Sequence, residues 1–255
     1  MAELFGRAAG CSGGKGGSMH LFDRKLNFLG GHGIVGGHIP IATGVGFAIS
    51  YRGGDQVCVC FFGEAAVNIG AFHEALNMAS LWNLPVVFII ENNRYGMGTA
   101  ISRSTAQQDV VKRAASYAMV GTSVDGQDVY TVHDELAAAV ERARKEHRPT
   151  LVEVRTTRFM GHSMSDAASG TYRSKEELDQ SMQRDPIVLL KTKMLAEGML
   201  TEDEFKKLDD EAKVAAQDAW DFADASPEPA PEELFTHVLS DESTIGADGY
   251  AGAAR

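Results

Sequence analysis

Glu64 and Asn93 stand 93 − 64 = 29 positions apart, each just beyond a short β-rich run. The first run is Val57-Cys58-Val59-Cys60-Phe61-Phe62 and the second is Val86-Val87-Phe88-Ile89-Ile90. A carboxylate and a carboxamide at two strand ends are hard oxygen donors. That is the donor type suited to Mg²⁺, which takes few protein ligands and completes its octahedron with water and phosphate oxygens. A third residue able to do chemistry, His162, lies in Arg158-Phe159-Met160-Gly161-His162-Ser163-Met164-Ser165-Asp166. Histidine suits proton transfer or a hydrogen bond to a phosphate or acyl oxygen. Taken alone, a histidine in a loop is more often simply solvated.

Secondary structure must bring these residues to one place. Between the two β-rich runs, Ile69 to Trp82 reads as a helix, with Phe72, Ala75, Leu76, Ala79 and Trp82 at helical spacing. Strand, polar loop, helix, strand, polar loop is a βαβ unit, whose crossover makes the strands parallel. Both loops then lie at strand carboxyl ends, where open α/β sheets bind ligands. A helix start near Asn68 would add backbone N–H groups and a positive dipole end for an anion. On geometry alone, an ordinary βαβ unit with polar loop tips fits as well.

The rest of the chain extends this plan. Ile39 to Tyr51 reads as a helix with small residues (Ala42, Gly44, Gly46, Ala48) on closely packed faces, and Val129 to His147 as an amphipathic helix. Thr150 to Thr156 alternates like a strand, and the sheet pattern ends there. Residues around Arg103, Ser104, Thr105 and Gln107 read as a loop. Beyond residue 174 the pattern is helical. Ser174 caps a short helix, Asp185-Pro186 starts another that runs to Gly198, and Thr201-Glu202-Asp203-Glu204 opens a long one ending near Ala225. Ser226 to Pro231 is a stiff extended segment. The expectation is an α/β fold, a parallel sheet with helices on both faces, over residues 1–173. A helical extension follows over 174–240, then a disordered tail over 241–255.

Composition narrows the function. The 255 residues are 44% hydrophobic and 23% charged, with net charge −11, which disfavours nucleic acid or an anionic membrane as the main partner. No apolar run approaches the ~18 residues of a membrane span, and no signal peptide is visible. The three cysteines, Cys11, Cys58 and Cys60, cannot pair fully, and a cytoplasmic, reducing setting is expected. Cys58 and Cys60 share a strand face and read as small buried hydrophobes; with Cys11 they match no zinc spacing. A P-loop ending at Gly14-Lys15 fails, because Ala9 and Gly16 stand where Gly and Ser or Thr are needed. Gly31-His32-Gly33-Ile34-Val35-Gly36 matches the dinucleotide pattern in letters, but no strand precedes it and Pro40 interrupts the helix it should open. It is read as a decoy.

Gly63 to Gly98 resembles the thiamin-diphosphate motif, which opens Gly-Asp-Gly and closes Asn-Asn about thirty residues later. Glu91-Asn92-Asn93-Arg94-Tyr95-Gly96-Met97-Gly98-Thr99 is similar, more closely, to the alpha subunit of the decarboxylating component of pyruvate dehydrogenase. So are Lys15-Gly16-Gly17-Ser18-Met19-His20, Gly31 to Gly36, Gly161 to Asp166, and Pro227-Glu228-Pro229-Ala230-Pro231 before Glu233-Leu234-Phe235. The resemblance runs in order over about residues 4–240. It departs at Glu64, where the family has Asp, and at Ala65, where it often has Gly. It departs again after Asp166, where Ala167 to Thr171 replace a proline and precede Tyr172-Arg173.

The resemblance implies thiamin diphosphate and Mg²⁺ as cofactors. Glu64, Asn93 and the Tyr95 carbonyl would hold the metal, and backbone groups at Gly33 and Val35 the aminopyrimidine ring. Ala65 and Ala66 would lie along the cofactor, Met97 would brace it, and His162 would close on its diphosphate. It further implies oxidative decarboxylation of a 2-oxo acid, with an acyl group passed to the lipoyl group of an acyltransferase component. The activating glutamate belongs to a separate beta subunit, so an alpha-beta heterotetramer is expected. Serines of this loop are phosphorylated in mitochondrial relatives, a regulation that Ser163 alone does not predict. Family members extend upstream by roughly a hundred residues bearing a histidine and a Tyr-Arg pair for the phosphates. Without these contacts, or another chain's, binding is expected to weaken by several kcal/mol. The alternatives are a branched-chain 2-oxo acid or acetoin dehydrogenase alpha subunit, or a non-catalytic assembly subunit.

Overall fold

The computed structural model describes residues 1–163, 166 and 175–236. Residues 164–165 and 167–173 of the His162 loop, the Ser174 cap and the 241–255 tail lie outside the described residues. Contacts divide the chain into two units, Met1–Gly33 with residues from Leu208 onward, and Ile34–Lys207.

The second unit holds the sheet. In chain order its elements are α1 (His38–Arg52), β1 (Cys58–Gly63), a 3₁₀ turn (Glu64–Asn68), α2 (Gly70–Leu81) and β2 (Val86–Asn92). Then come β3 (Tyr95–Gly96), β4 (Thr99–Ala100), α3 (Ile101–Ser104), a 3₁₀ segment (Val110–Tyr117) and β5 (Val120–Asp125). They are followed by α4 (Val129–Glu146), β6 (Thr150–Arg155), α5 (Lys175–Met182), α6 (Pro186–Ala196) and the start of α7 (Glu202–Ala225). β1, β2, β6 and β5 lie in that spatial order, all parallel, while β3 and β4 form a small antiparallel hairpin. The α/β class and the βαβ unit are as expected.

β2 explains the layering. Val86, Phe88 and Ile90 enter one core with Ile39, Phe72, Leu76, Cys60 and Phe62. Val87 and Ile89, alternate on the same strand, enter the other with Val152, Ala139 and Ala143 of α4. A strand covered on both faces carries a continuous apolar run. Each of these five side chains contributes roughly 1.5–3 kcal/mol of burial. Cys58 and Cys60 are free, buried thiols in the first core, their pKa pushed up by burial to about 11 and about 12.

Several expectations are corrected. Pro40 does not interrupt α1: it sits in the first turn, where the missing N–H has no intrahelical acceptor anyway. No strand precedes that helix, so the glycine pattern lacks its dinucleotide context. Gly46 does need its size, since a Cβ there would lie 2.4 Å from Val86 Cγ2, but Gly44 has open space. Trp82 lies beyond the end of α2, 46% exposed and tilted against Phe47. α2 begins at Gly70 rather than near Asn68, because the 3₁₀ turn intervenes. Of the residues expected as a loop, Arg103 and Ser104 belong to α3, while Thr105 and Gln107 do lie in a loop; the 110–117 segment and β5 are elements the sequence pattern did not announce. Among the described residues β5 pairs only with β6, and it is largely exposed, so its sequence lacks a hydrophobic run.

In the helical region Asp185 caps α6 by accepting from Ile187 N–H. Thr201 and Glu204 form the reciprocal capping box, Glu204 N–H to Thr201 Oγ1 at 3.2 Å and Thr201 N–H to Glu204 Oε2 at 2.9 Å. No helix among the described residues is long and apolar enough to cross a membrane.

The first unit is organised by Glu3. Its buried carboxylate accepts backbone N–H groups from Ser12, Gly14, Gly16 and Gly17 at 2.6–3.2 Å. Lys15 pairs with Glu233 at 2.9 Å, and Phe5 meets Trp220 edge-on at 4.8 Å.

Candidate functional site

The carboxyl ends of β1, β2 and β6 are adjacent, and each delivers part of one constellation. Register sets this: Gly63 pairs with Glu91, and Asn92 with Arg155. Glu64 follows β1 directly, Asn93 follows β2, and Arg158 and His162 follow β6.

Glu64 is 2% exposed. Its carboxylate accepts the backbone N–H of Asn93, which joins the two ends of the motif. Its Oε1 is buried and has no hydrogen-bond partner among the described residues. Burial raises the carboxyl's pKa, only partly offset by its own N–H, the Asn93 N–H and the Arg158 charge. A buried carboxylate oxygen without a donor is costly, and an added cation would remove the cost.

The β2 end is built by two consecutive asparagines. Asn93 Oδ1 accepts Tyr95 N–H at 3.1 Å, and Asn92 Oδ1 accepts Arg94 N–H at 2.9 Å. These Asx turns hold a tight segment in which Arg94 and Met97 both have positive φ, 69° and 56°. Asn92 is anchored in turn: its Nδ2 donates to the buried Glu153 at 2.6 Å, and Ser123 Oγ donates to the other Glu153 oxygen at 2.8 Å. Gly96 lies so close to Ala65 that a Cβ there would come within 2.7 Å of the Ala65 methyl. The 3₁₀ turn and the hairpin are therefore in direct contact.

Arg158 links the remaining residues. Its Nη2 donates to Met97 O at 2.8 Å, and its Nη1 lies 3.2 Å from His162 Nδ1. Sequence reasoning gave Arg158 no role; a cation four positions before His162 was the available signal. Val35 is exposed, and its neighbour Gly36 packs on Ile69, the residue after the 3₁₀ turn. Ala66 is buried, with its carbonyl accepting Ile69 N–H at 3.2 Å. Gly33 belongs to the first unit, where it lies against His20.

Glu64, Ala65, Asn93, Tyr95, Met97 and His162 are thus brought together, with Val35 close by. Among the described residues no group of three His, Cys, Asp or Glu side chains could hold a metal ion. The donor set available is different: an unpartnered carboxylate oxygen and a carboxamide. That set fits a small hard cation whose other positions are filled by water or a bound phosphate.

The chain is similar to known proteins over most of its length. The model of the dehydrogenase E1 component family matches residues 1–232. The Rickettsia felis pyruvate dehydrogenase E1 component subunit alpha is 47% identical over 238 residues, covering 93% of this chain and 72% of that protein. The Rhizobium meliloti protein of the same name is 48% identical over 240 residues, covering 94% and 68%. The human somatic mitochondrial form is 44% identical over 250 residues, covering 98% of this chain and 63% of that protein. With a family match over residues 1–232 and relatives 44–48% identical over most of its length, the chain belongs to the dehydrogenase E1 component family.

Proposed function

We propose that this chain is the alpha subunit of a pyruvate dehydrogenase decarboxylating component, working in the cytoplasm. It would act in an alpha-beta heterotetramer and pass an acetyl group to a lipoyl-bearing acyltransferase. The observation that carries this reading is the buried, unpartnered Oε1 of Glu64 beside Asn93. With the family membership, it supports thiamin diphosphate held through Mg²⁺.

In this reading Glu64, Asn93 and the Tyr95 carbonyl hold the metal. Ala65 and Ala66 contribute backbone groups along the diphosphate, and Gly33 and Val35 position the aminopyrimidine end. Met97 braces the bound cofactor. Arg158 holds the loop segment bearing Met97 and sets the orientation of His162, so that the imidazole faces phosphate or acyl oxygens. The cofactor supplies the electron sink for decarboxylation, and the protein supplies position and electrostatics.

Calorimetric titration of thiamin diphosphate with Mg²⁺ into the chain plus its beta subunit tests the reading. Saturable heat that chelation abolishes is expected. No heat at millimolar cofactor overturns it. Rates on pyruvate, branched-chain 2-oxo acids and acetoin with the same assembly then fix the substrate, with pyruvate expected to be fastest.

A further inference from the structure

The turn that presents Glu64 has no side-chain cap at its start, and Glu64 itself leaves an oxygen unpartnered. Its hold comes from the far end. Arg113, on the 110–117 segment, donates from Nη1 to Val67 O at 2.5 Å and from Nη2 to Asn68 Oδ1 at 2.7 Å. The Asn68 carboxamide works at both of its ends. While Oδ1 accepts from Arg113, Nδ2 donates to Thr105 Oγ1 at 2.9 Å and to Ser104 O at 3.3 Å. Thr105 is buried and ends the segment that begins with the Tyr95–Ala100 hairpin.

Arg113 is itself braced. Its Nη1 lies 3.4 Å from His73 Nε2, and His73 Nδ1 lies 2.5 Å from the Tyr117 hydroxyl. A guanidinium has only donors, so Nε2 must accept and Nδ1 must carry the hydrogen toward Tyr117. One continuous chain of hydrogen bonds therefore runs Tyr117, His73, Arg113, Asn68, Thr105.

Two geometric facts tie this chain to the site. In a 3₁₀ helix residues three apart eclipse one another, so Val67 stands one turn along the same face as Glu64. A fork fixed on Val67 O and on Asn68 sets the rotation of the turn about its axis, and with it the direction of the Glu64 carboxyl. Asn68, meanwhile, ties the turn to the segment carrying Tyr95 and Met97, so both donor ends share one brace.

We propose that Arg113 is a positioning residue for the cation: its fork on Val67 and Asn68 sets the Glu64 carboxylate against the Asn93 end. This rests on the metal-binding reading above. Arginine is required rather than any cation, because a planar fork can serve two acceptors at once and an ammonium presents only a point charge.

The experiment titrates Mg²⁺ calorimetrically at fixed thiamin diphosphate, using wild type, Arg113→Lys and Thr105→Val, each assembled with the beta subunit. Arg113→Lys is expected to raise half-saturating Mg²⁺ by about 10-fold or more, the usual size of losing a group that orients a metal ligand. Thr105→Val keeps shape, removes one acceptor and is expected to raise it about threefold. The Michaelis constant for pyruvate, measured at saturating Mg²⁺, is expected to stay at the wild-type value. Half-saturation unchanged in both variants overturns the proposal, as does a loss confined to binding stoichiometry, which marks a purely structural role. If Arg113→Lys does not fold, the Thr105→Val result decides alone. Failure of wild type to bind overturns the metal reading itself, and the proposal falls with it.

Discussion

Glu3 and Glu64 are both almost wholly buried carboxylates, one in each unit of the chain, and they have opposite surroundings. Glu3 receives four backbone N–H groups from the glycine-rich segment between Ser12 and Gly17. Burial pushes its pKa up, but the four donors together bring it below the usual carboxylate range. Glu64 receives N–H groups too, yet keeps one oxygen without a donor, and burial wins: its pKa is raised. The difference separates a carboxylate that completes a fold from one that the fold leaves incomplete. Both sit in glycine- or alanine-rich turns, so neighbouring composition does not distinguish them; the number of donors does.

The largest effect follows from removing the charge of Glu64. Glu64→Gln is expected to raise half-saturating Mg²⁺ by at least ~100-fold, beyond the ~10–100-fold typical for losing a group that only orients a ligand. The melting temperature of the metal-free protein should stay the same or rise, because a buried, poorly solvated charge has been removed. Parallel calorimetry and thermal melts check both parts. A large fall in melting temperature with unchanged Mg²⁺ affinity would put Glu64 in the same class as Glu3.

Glu3→Gln makes the reverse experiment. An amide can accept at one end only, and its NH₂ would face backbone N–H groups, so a loss of roughly 3 kcal/mol is expected. The sign with pH follows from the lowered pKa. The native state binds fewer protons than the unfolded one, so Glu3's contribution is fully present above the ordinary carboxylate range. It is lost as pH falls through that range toward the lowered native value. Wild type and variant should therefore differ most in thermal melts at neutral pH and converge in acid. Mg²⁺ affinity, read at neutral pH, is expected to move far less than in Glu64→Gln.

The sequence makes one of these glutamates legible and hides the other. Glu64 follows a strand-like run and faces Asn93 across a helix-length gap, so period and spacing point to it, as they do to β1, α2, β2 and β6. Glu3 sits in an amino-terminal segment without periodicity, and its partners are backbone groups that carry no side-chain signature. Arg113 is hidden for a related reason. It meets Val67 46 positions away, through a fold that a local reading does not supply. The strand β5 escapes because, among the described residues, only β6 pairs with it and much of its surface stays wet. What local chemistry encodes was readable; what arises when distant segments meet was not.

Glu153 offers the smallest and sharpest test, because it stands between the two cases. Like Glu3 it is buried and satisfied, by Asn92 Nδ2 at 2.6 Å and Ser123 Oγ at 2.8 Å. Like Glu64 it is one step from the Asn93 turn, since Asn92 also accepts the Arg94 N–H. Ser123→Ala removes one donor from an exposed position on the edge strand, where water can take its place. The expected cost is about 1 kcal/mol, visible as a small fall in denaturant midpoint. Mg²⁺ half-saturation should stay within about twofold, because the Asn92 bond that fixes the turn survives, and a lost indirect contact costs far less than a ligand. A tenfold shift would mean that Glu153 sets the Asn93 loop through its full donor pair. Metal affinity would then depend on the sheet edge as much as on the turn after β1.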